Sequence, residues 1–430
     1  MAATRGPSVK WFSRVLLAYS PAHILLSRRG LLTQAPTRKV FYIRHIKPVN
    51  LTLKNKKFIF LVGWLLSGLL HAAVLPEQRM DVLYHSYDGG GMEINGPAVL
   101  VRKNLKEKYT ISGHHYIDKV NGASVDVMSY ASPYVEERQE SSVNLGFLKD
   151  KSLFSVGYLT SAESDYDANS VFFDVSQDFF GDLSTISLGF SRGWDEVGNS
   201  SDENFSKEVG RRNYRIGFSQ ILTPKTILNL GFENVNDEGF LNNPYRQVRY
   251  FSNTNFYEYQ PEIYPETRTS QAYRLGVIHY LNYGASLQGS YRLFNDTWGI
   301  KAHTYEMQYQ QRVGWWTYSG KLRFYQQNNA NFFSDLFPYE DFSDYLARDK
   351  ELSTFQSQVV GVGVSYRFKD FKPRGSDHMS INFFIDHLQF DYDDFRDATV
   401  TEDGSRIDAE DQPYYQFSAN VARFFISLWY

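Results

Sequence analysis

The sequence predicts an all-β chain, a transmembrane antiparallel up-and-down β-barrel of about 16 strands, on three observations. From residue 80 to the carboxy terminus, stretches of about ten residues alternate apolar and polar side chains and then break at a turn. The turns themselves alternate between tight and long. Aromatic side chains gather beside the tight ones, where a membrane boundary would fall.

The alternation is clearest where Val360, Val362, Val364, Tyr366 and Phe368 oppose Gly361, Gly363, Ser365 and Arg367. Successive side chains of a strand point to opposite faces, so each such set gives one apolar and one polar face. The same pattern recurs at Val143 to Phe147, Phe154 to Tyr158, Ile186 to Phe190, Leu228 to Phe232, Leu287 to Leu293 and Ile381 to Ile385. A total of 31 Tyr and 33 Phe against 14 Pro favours extended strands, although the mean hydropathy is only -0.42.

Soluble sandwiches also have two-faced strands, and connection lengths discriminate better. Tight turns fall near Asp150, Gly181-Asp182, Thr223 to Lys225, Asn282 to Gly284, Val313-Gly314 and Lys369 to Gly375. Between them lie mostly longer polar links at 163 to 169, 194 to 211, 237 to 268, 328 to 352 and 394 to 411. Short turns on one side and long loops on the other are the asymmetry of an outer-membrane barrel. Phe179-Phe180, Tyr283, Trp315-Trp316-Tyr318 and Trp429-Tyr430 then mark a periplasmic aromatic girdle.

Strand counting from residue 97 onward gives an odd number, so the segment Asp81 to Tyr87, turning at Gly89-Gly90-Gly91, is expected to supply the sixteenth. The alternative is a barrel of about 14 strands in which residues 80 to 105 plug the lumen. Phe424, Ile426, Leu428 and Tyr430 share one face of the last strand and resemble the terminal signal read by the barrel-assembly machinery. These features together predict residence in the cell outer membrane, with lipid around the wall.

The amino end is expected to lie outside the barrel. Lys54, Lys56 and Lys57 precede an apolar run from Phe58 to Leu70 and small residues at Ala72-Ala73, the layout of a secretory signal over 54 to 73. A bilayer-spanning helix would need about 20 apolar residues. Residues 1 to 53 are expected to be a non-native extension of the coding region, an organelle transit peptide being the alternative, and the barrel is assigned to 74 to 430. The first 57 residues hold 12 Lys or Arg and no acid, which leaves the remainder with 33 basic against 48 acidic residues, a net of -15. So acidic a body is unsuited to nucleic acid.

The stretch Asp81-Val-Leu-Tyr-His-Ser-Tyr-Asp-Gly-Gly-Gly91, with Gly96-Pro-Ala-Val-Leu-Val-Arg-Lys103, resembles an uncharacterised family of Gram-negative outer-membrane β-barrel proteins, a domain of unknown function. Ala131-Ser-Pro-Tyr134, Glu136-Glu-Arg138, Glu163-Ser-Asp-Tyr166 and Ser176-Gln-Asp-Phe-Phe-Gly-Asp-Leu183 extend the similarity along the chain. The resemblance implies the fold and the location but no catalytic residue. Because members are encoded beside a thioredoxin-like protein, a small lipoprotein and a flavin-transferring enzyme, it also implies a periplasmic redox or lipoprotein partner.

No catalytic constellation emerges, and neither an enzyme nor a cofactor is expected. Asp377-His378, Asp386-His387 and His114-His115 are neighbours within strands, so the members of each pair point to opposite faces. No Gly-x-Ser-x-Gly elbow at a strand-to-helix turn is read, and no His-Glu-x-x-His motif occurs. Extending the alternation inward places Arg215, Arg274, Arg292, Lys321, Arg323 and Arg367 in the lumen with Glu233, Asp174, Asp178 and Asp386.

Such charges either set the selectivity of a pore or pair across the lumen and close it. On the first reading Arg215, Arg274, Arg292 and Arg323 form a positive patch that favours small anions. Asp391, Asp393 and Asp394 open an acidic loop that lacks the order of an EF-hand, and a solvated face is expected there rather than a metal site. The expected function is a channel for small solutes or ions, the alternative a non-conducting envelope scaffold or partner of a periplasmic redox or flavin system. A barrel hydrolase comes last.

Overall fold

A computed structural model describes residues 74–122, 125–128, 134–252, 257–368, 376–402 and 405–430. The expected extension and signal, the turn from Lys369 to Gly375 and the motif piece Ala131-Ser132-Pro133 lie outside the described residues.

The chain runs through β1 (Arg79–Gly89), β2 (Met92–Leu105), β3 (Tyr109–Gly122), a short helix α1 (Val125–Met128), β4 (Tyr134–Lys149), β5 (Ser152–Ala162), β6 (Tyr166–Phe179) and β7 (Ser184–Gly198). It continues with β8 (Ser206–Thr223), β9 (Thr226–Gly239), the pair β10 (Gln247–Phe251) and β11 (Tyr257–Pro261), then β12 (Thr267–Leu281) and β13 (Ala285–Asp296). The rest is β14 (Lys301–Val313), β15 (Trp316–Gln327), β16 (Phe355–Arg367), β17 (His378–Arg396), the pair β18 (Thr401–Glu402) and β19 (Ser405–Arg406), and β20 (Tyr414–Trp429). Sixteen of these strands form one closed antiparallel barrel. β10–β11 and β18–β19 are separate hairpins on its outer side.

The alternative of a 14-strand wall with an amino-terminal plug is corrected. β1 pairs along its full length with β2 on one side and β20 on the other, from Arg79↔Trp429 to Gly89↔Ala419. A wall in lipid cannot leave a strand edge unpaired, so residues 79 to 105 go to closure rather than to the lumen. Gly90 and Gly91 turn the first hairpin with φ of 61° and 81°, a region that favours glycine.

The outward face is apolar. Leu188, Leu230, Leu275, Leu322, Val360, Val362, Phe383 and Ile385 are all exposed there. A continuous exposed belt of this kind belongs in hydrocarbon, not water, and the protein is an outer-membrane barrel. Phe180, Tyr283, Trp315 and Trp316 are exposed beside the short turns. Trp429, expected in that girdle, instead packs inside, because it follows Leu428 and alternation turns it inward. It stacks on His378 with ring centroids 4.3 Å apart, and its Nε1 donates to Glu77 at 2.9 Å.

Phe424 and Ile426 are exposed on the outer face of β20, while the Tyr430 hydroxyl donates to the Arg102 carbonyl at 3.0 Å. These contacts fasten the closing strand at the periplasmic rim. Deleting Trp429 and Tyr430 is therefore expected to impair closure, measured as loss of the heat-modifiable electrophoretic form. Normal heat-modifiability of the truncated chain would contradict this.

Candidate functional site

Inward-facing positions change in burial along the strands. On β7, Val197 and Asp195 at the outer end are buried, Gly193, Ser191 and Gly189 partly so, and Ser187 is exposed. On β16, Phe355, Ser357 and Val359 are buried, whereas Gly363, Ser365 and Arg367 nearer the periplasm are partly accessible. On these strands the interior is packed toward the outside and more open below, whereas on β17, β20 and β1 the inward Asn382, Asp386, Arg423, Ser427 and Asp81 are buried down to the periplasmic rim.

The packing is an apolar core that crosses the barrel. Tyr87 and Ile94 of the first hairpin, Val120 of β3, Val197 and Val209 of β7 and β8, and Leu388 and Val421 of β17 and β20 belong to one cluster. Leu241, Tyr264, Trp298, Phe333, Ala347 and Leu352 complete it from the outer connections. Wall strands as far apart in the barrel order as β1 and β8 thus meet through one core.

Ion pairs hold the outer layer above this core. Arg246 lies 2.5 Å from Asp349 with both side chains almost wholly buried, and Arg348 lies 3.0 Å from Asp335, which also receives Arg249. Arg249 Nη1 donates to Gln412 Oε1 at 2.6 Å and Arg348 Nη2 to the Arg396 carbonyl at 2.9 Å, so three long connections are tied together. Glu262 accepts from the Arg348 amide at 2.7 Å and from the Tyr264 hydroxyl. Asp165 accepts from the Tyr245 hydroxyl, joining the β5–β6 connection to the same layer.

Burial, reinforced by the neighbouring Asp349, pushes the Glu262 carboxyl up to about 7 even though Arg246 opposes it. Burial likewise raises Asp165 to about 6. A carboxyl whose folded pKa is raised contributes stability below its ordinary value and loses it as pH rises through the folded value. The outer layer should therefore loosen as pH rises from about 5 to about 8. Hydrogen exchange in 240–266 and 328–354, corrected for its intrinsic pH dependence, is expected to quicken over that range. Constant protection would contradict this.

Below the apolar core, charges sit in pairs that reach across an intervening strand. Arg215 of β8 meets Asp174 of β6 at 2.9 Å above Gly189 of β7, where an added Cβ would lie 2.6 Å from the carboxylate. Lys321 of β15 meets Asp386 of β17 at 2.7 Å above Gly361 of β16, where an added Cβ would lie 2.0 Å from Asp386. Glycine makes room for each bridge. Arg423 of β20 reaches the same Asp386 oxygen at 2.7 Å, which gives a buried three-member chain.

Arg292 approaches Glu233 at 3.8 Å across β12 and faces Arg274 as its register partner. Arg323 stands opposite Glu306 on β14, and the Arg367 side chain lies at the periplasmic end, half-buried. Asp178 accepts from the Thr185 hydroxyl at 2.6 Å. Of the four arginines expected to share a positive patch, Arg274, Arg292 and Arg323 are close in strand order, while Arg215 is neutralised by Asp174. Asp391 and Asp393 are alternate residues on the outer face of β17, and Asp394 accepts from the Thr354 amide at 2.7 Å. Among the described residues, no three carboxylate or imidazole groups converge as metal ligands.

A second polar group lies on the opposite wall. His85 Nε2 is 2.8 Å from Asp118 and 3.1 Å from the Tyr116 hydroxyl, with Arg138 and Glu140 paired at 3.0 Å on β4. His115 points outward to Ser141, and His387 outward to Asn420.

Two overlapping family matches, over residues 114–215 and 204–382, cover most of the barrel. The chain belongs to the DUF3570 family of proteins of unknown function. No curated protein matches the chain significantly. Among solved structures, the DUF3570 chain is similar to a Pseudomonas aeruginosa FadL homologue, with a TM-score of 0.40 and 9% identity over 82% of this chain and 90% of that one. It is similar to the CymD monoaromatic hydrocarbon channel, with a TM-score of 0.40 and 9% identity over 83% and 89%. A third is a bacterial polysaccharide outer membrane secretin, with a TM-score of 0.44 and 8% identity over 83% and 99%.

Proposed function

We propose that this DUF3570 protein is a gated outer-membrane conduit for small polar solutes, closed at its outer face in the state described. The observation that carries this reading is the burial gradient on one side of the barrel: an apolar core spans the outer end, and beneath it Arg215, Asp174, Arg292 and Glu233 are accessible to water along the lumen. A plain scaffold has no use for a wet, charged lumen. An open porin has no use for a sealed mouth.

Arg274, Arg292 and Arg323 against Glu233 and Glu306 leave one net positive charge on the wet wall, which supports a modest preference for anions once the mouth opens. The second reading, a non-conducting scaffold for periplasmic redox or lipoprotein partners, is favoured by the pairing of Arg215, Lys321 and Arg423 with carboxylates.

Conductance in a planar bilayer separates the two. Wild type is expected to be nearly silent, and replacement of residues 330–351 by a short Gly-Ser linker should open it. In that background Arg274→Glu with Arg292→Glu should shift selectivity toward cations. Silence of the loop-replaced barrel would give the scaffold reading first place, and a wide, steadily open wild type would overturn closure.

A further inference from the structure

Most of the outward face is apolar, but one row breaks the pattern. Arg192 of β7 and Arg212 of β8 are register partners, and both fall on the lipid side with Phe190, Trp194 and Tyr214. Like charges directly opposite each other on an antiparallel pair are destabilising unless something between them carries the opposite sign. Arg212 has Glu238 at 2.8 Å on its far side, with both side chains about half exposed. The Arg192 side chain makes no ion pair or hydrogen bond among the described residues.

The surroundings fix the depth of the row. The Phe190 and Tyr214 rings meet directly below it, 5.2 Å apart, and the Tyr158 and Trp194 rings meet above and to one side, 6.4 Å apart. Tyrosine and tryptophan in such positions mark the headgroup level. Arg192 is eight residues from the periplasmic start of β7. That places it about 26 Å along a strand tilted by about 40°, near the outer edge of an apolar band about 25 Å tall. Two alternations farther out, Glu196 and Glu208 are again register partners on the same face. Their carboxylates repel an anion, so the arginine row is the favourable depth for one.

We infer that Arg192 and Arg212 form a binding site for a phosphate of an outer-leaflet glycolipid headgroup, gripped between two guanidinium forks with the acyl chains lying on the aromatic surface below. A guanidinium matches phosphate oxygens in a bidentate way that an ammonium does not, and long arginine stems reach the interface from a wall position. Asn169 and Asn236, register neighbours of Trp194 and Arg212, add polar groups at the same rim. The site lies on the outside of the barrel and is independent of whether the lumen conducts.

Native mass spectrometry of the folded full chain with bisphosphorylated lipid A, and with the same lipid stripped of its phosphates, tests the site. Wild type should retain the phosphorylated lipid at least about fivefold more strongly than the stripped one. Arg192→Gln, which removes no protein partner and so leaves folding intact, should erase most of that difference. Arg192→Lys with Arg212→Lys should recover only part of it, and Lys119→Gln, elsewhere on the exterior, should leave it unchanged. Equal retention of both lipids by wild type, or an undiminished difference in Arg192→Gln, would overturn the assignment.

Discussion

Replacing Asp386 with alanine is expected to destabilise the barrel by about 3–5 kcal/mol, the range for breaking a buried ion pair by removing one partner. Lys321 and Arg423 both end on this carboxylate, whose side chain is only 3% exposed, so the substitution removes the anion that two largely buried cations share. The heat-modifiable transition should fall to a markedly lower temperature. Adding Lys321→Met and Arg423→Met to Asp386→Ala should return much of the loss, because the desolvation penalty leaves with the charges. An Asp386→Ala chain as heat-stable as wild type would show that the lumen is wetter there than the contacts imply.

The second large effect is at the outer layer. Asp349→Ala removes the carboxylate that lies 2.5 Å from Arg246, whose side chain is only 4% exposed, again an expected loss of about 3–5 kcal/mol, but confined to the loops. The barrel wall is held by its own ladders and should survive. Proteolysis of the 240–266 and 328–354 connections should therefore rise sharply while heat-modifiability is kept. If both fall together, the outer layer and the wall form one cooperative unit.

The wall was legible in the sequence because a strand with one lipid face and one wet face writes an alternation that few other environments produce. Even the first strand could be read from Asp81 to Tyr87, since closure demands an even count. Charges at strand ends were harder. Asp118 and Arg138 lie near the outer ends of β3 and β4, where charged residues crowd and apolar alternation fades, so spacing alone does not pair His85 with Asp118 or Arg138 with Glu140. Arg423 escapes notice because it directly precedes Phe424, Ile426, Leu428 and Tyr430, the face that carries the terminal signal.

The bridges over glycine did leave a trace. An inward glycine in mid-strand, flanked on the two neighbouring strands by opposite charges, is present at both Gly189 and Gly361. The outer core left less. The connection at 328 to 352 reads as a polar link, yet Phe333, Phe337, Leu346 and Leu352 are buried within it, and Arg249 and Arg348 look like solvated loop charges until they are placed beside Asp335. Loop packing follows no period, so nothing in the spacing announces it.

Closure at the outer face above a wet lumen can be tested with one reporter, because the chain has no cysteine of its own. Ser187→Cys places a thiol on the inward face of β7, exposed and below the apolar core. With a small charged thiol reagent, that position is expected to be unreactive in intact cells and reactive when the reagent is admitted to the periplasm, while Ser201→Cys in the exposed β7–β8 connection reacts from outside in both cases. Labelling of Ser187→Cys from outside at the rate of Ser201→Cys would contradict a closed outer mouth.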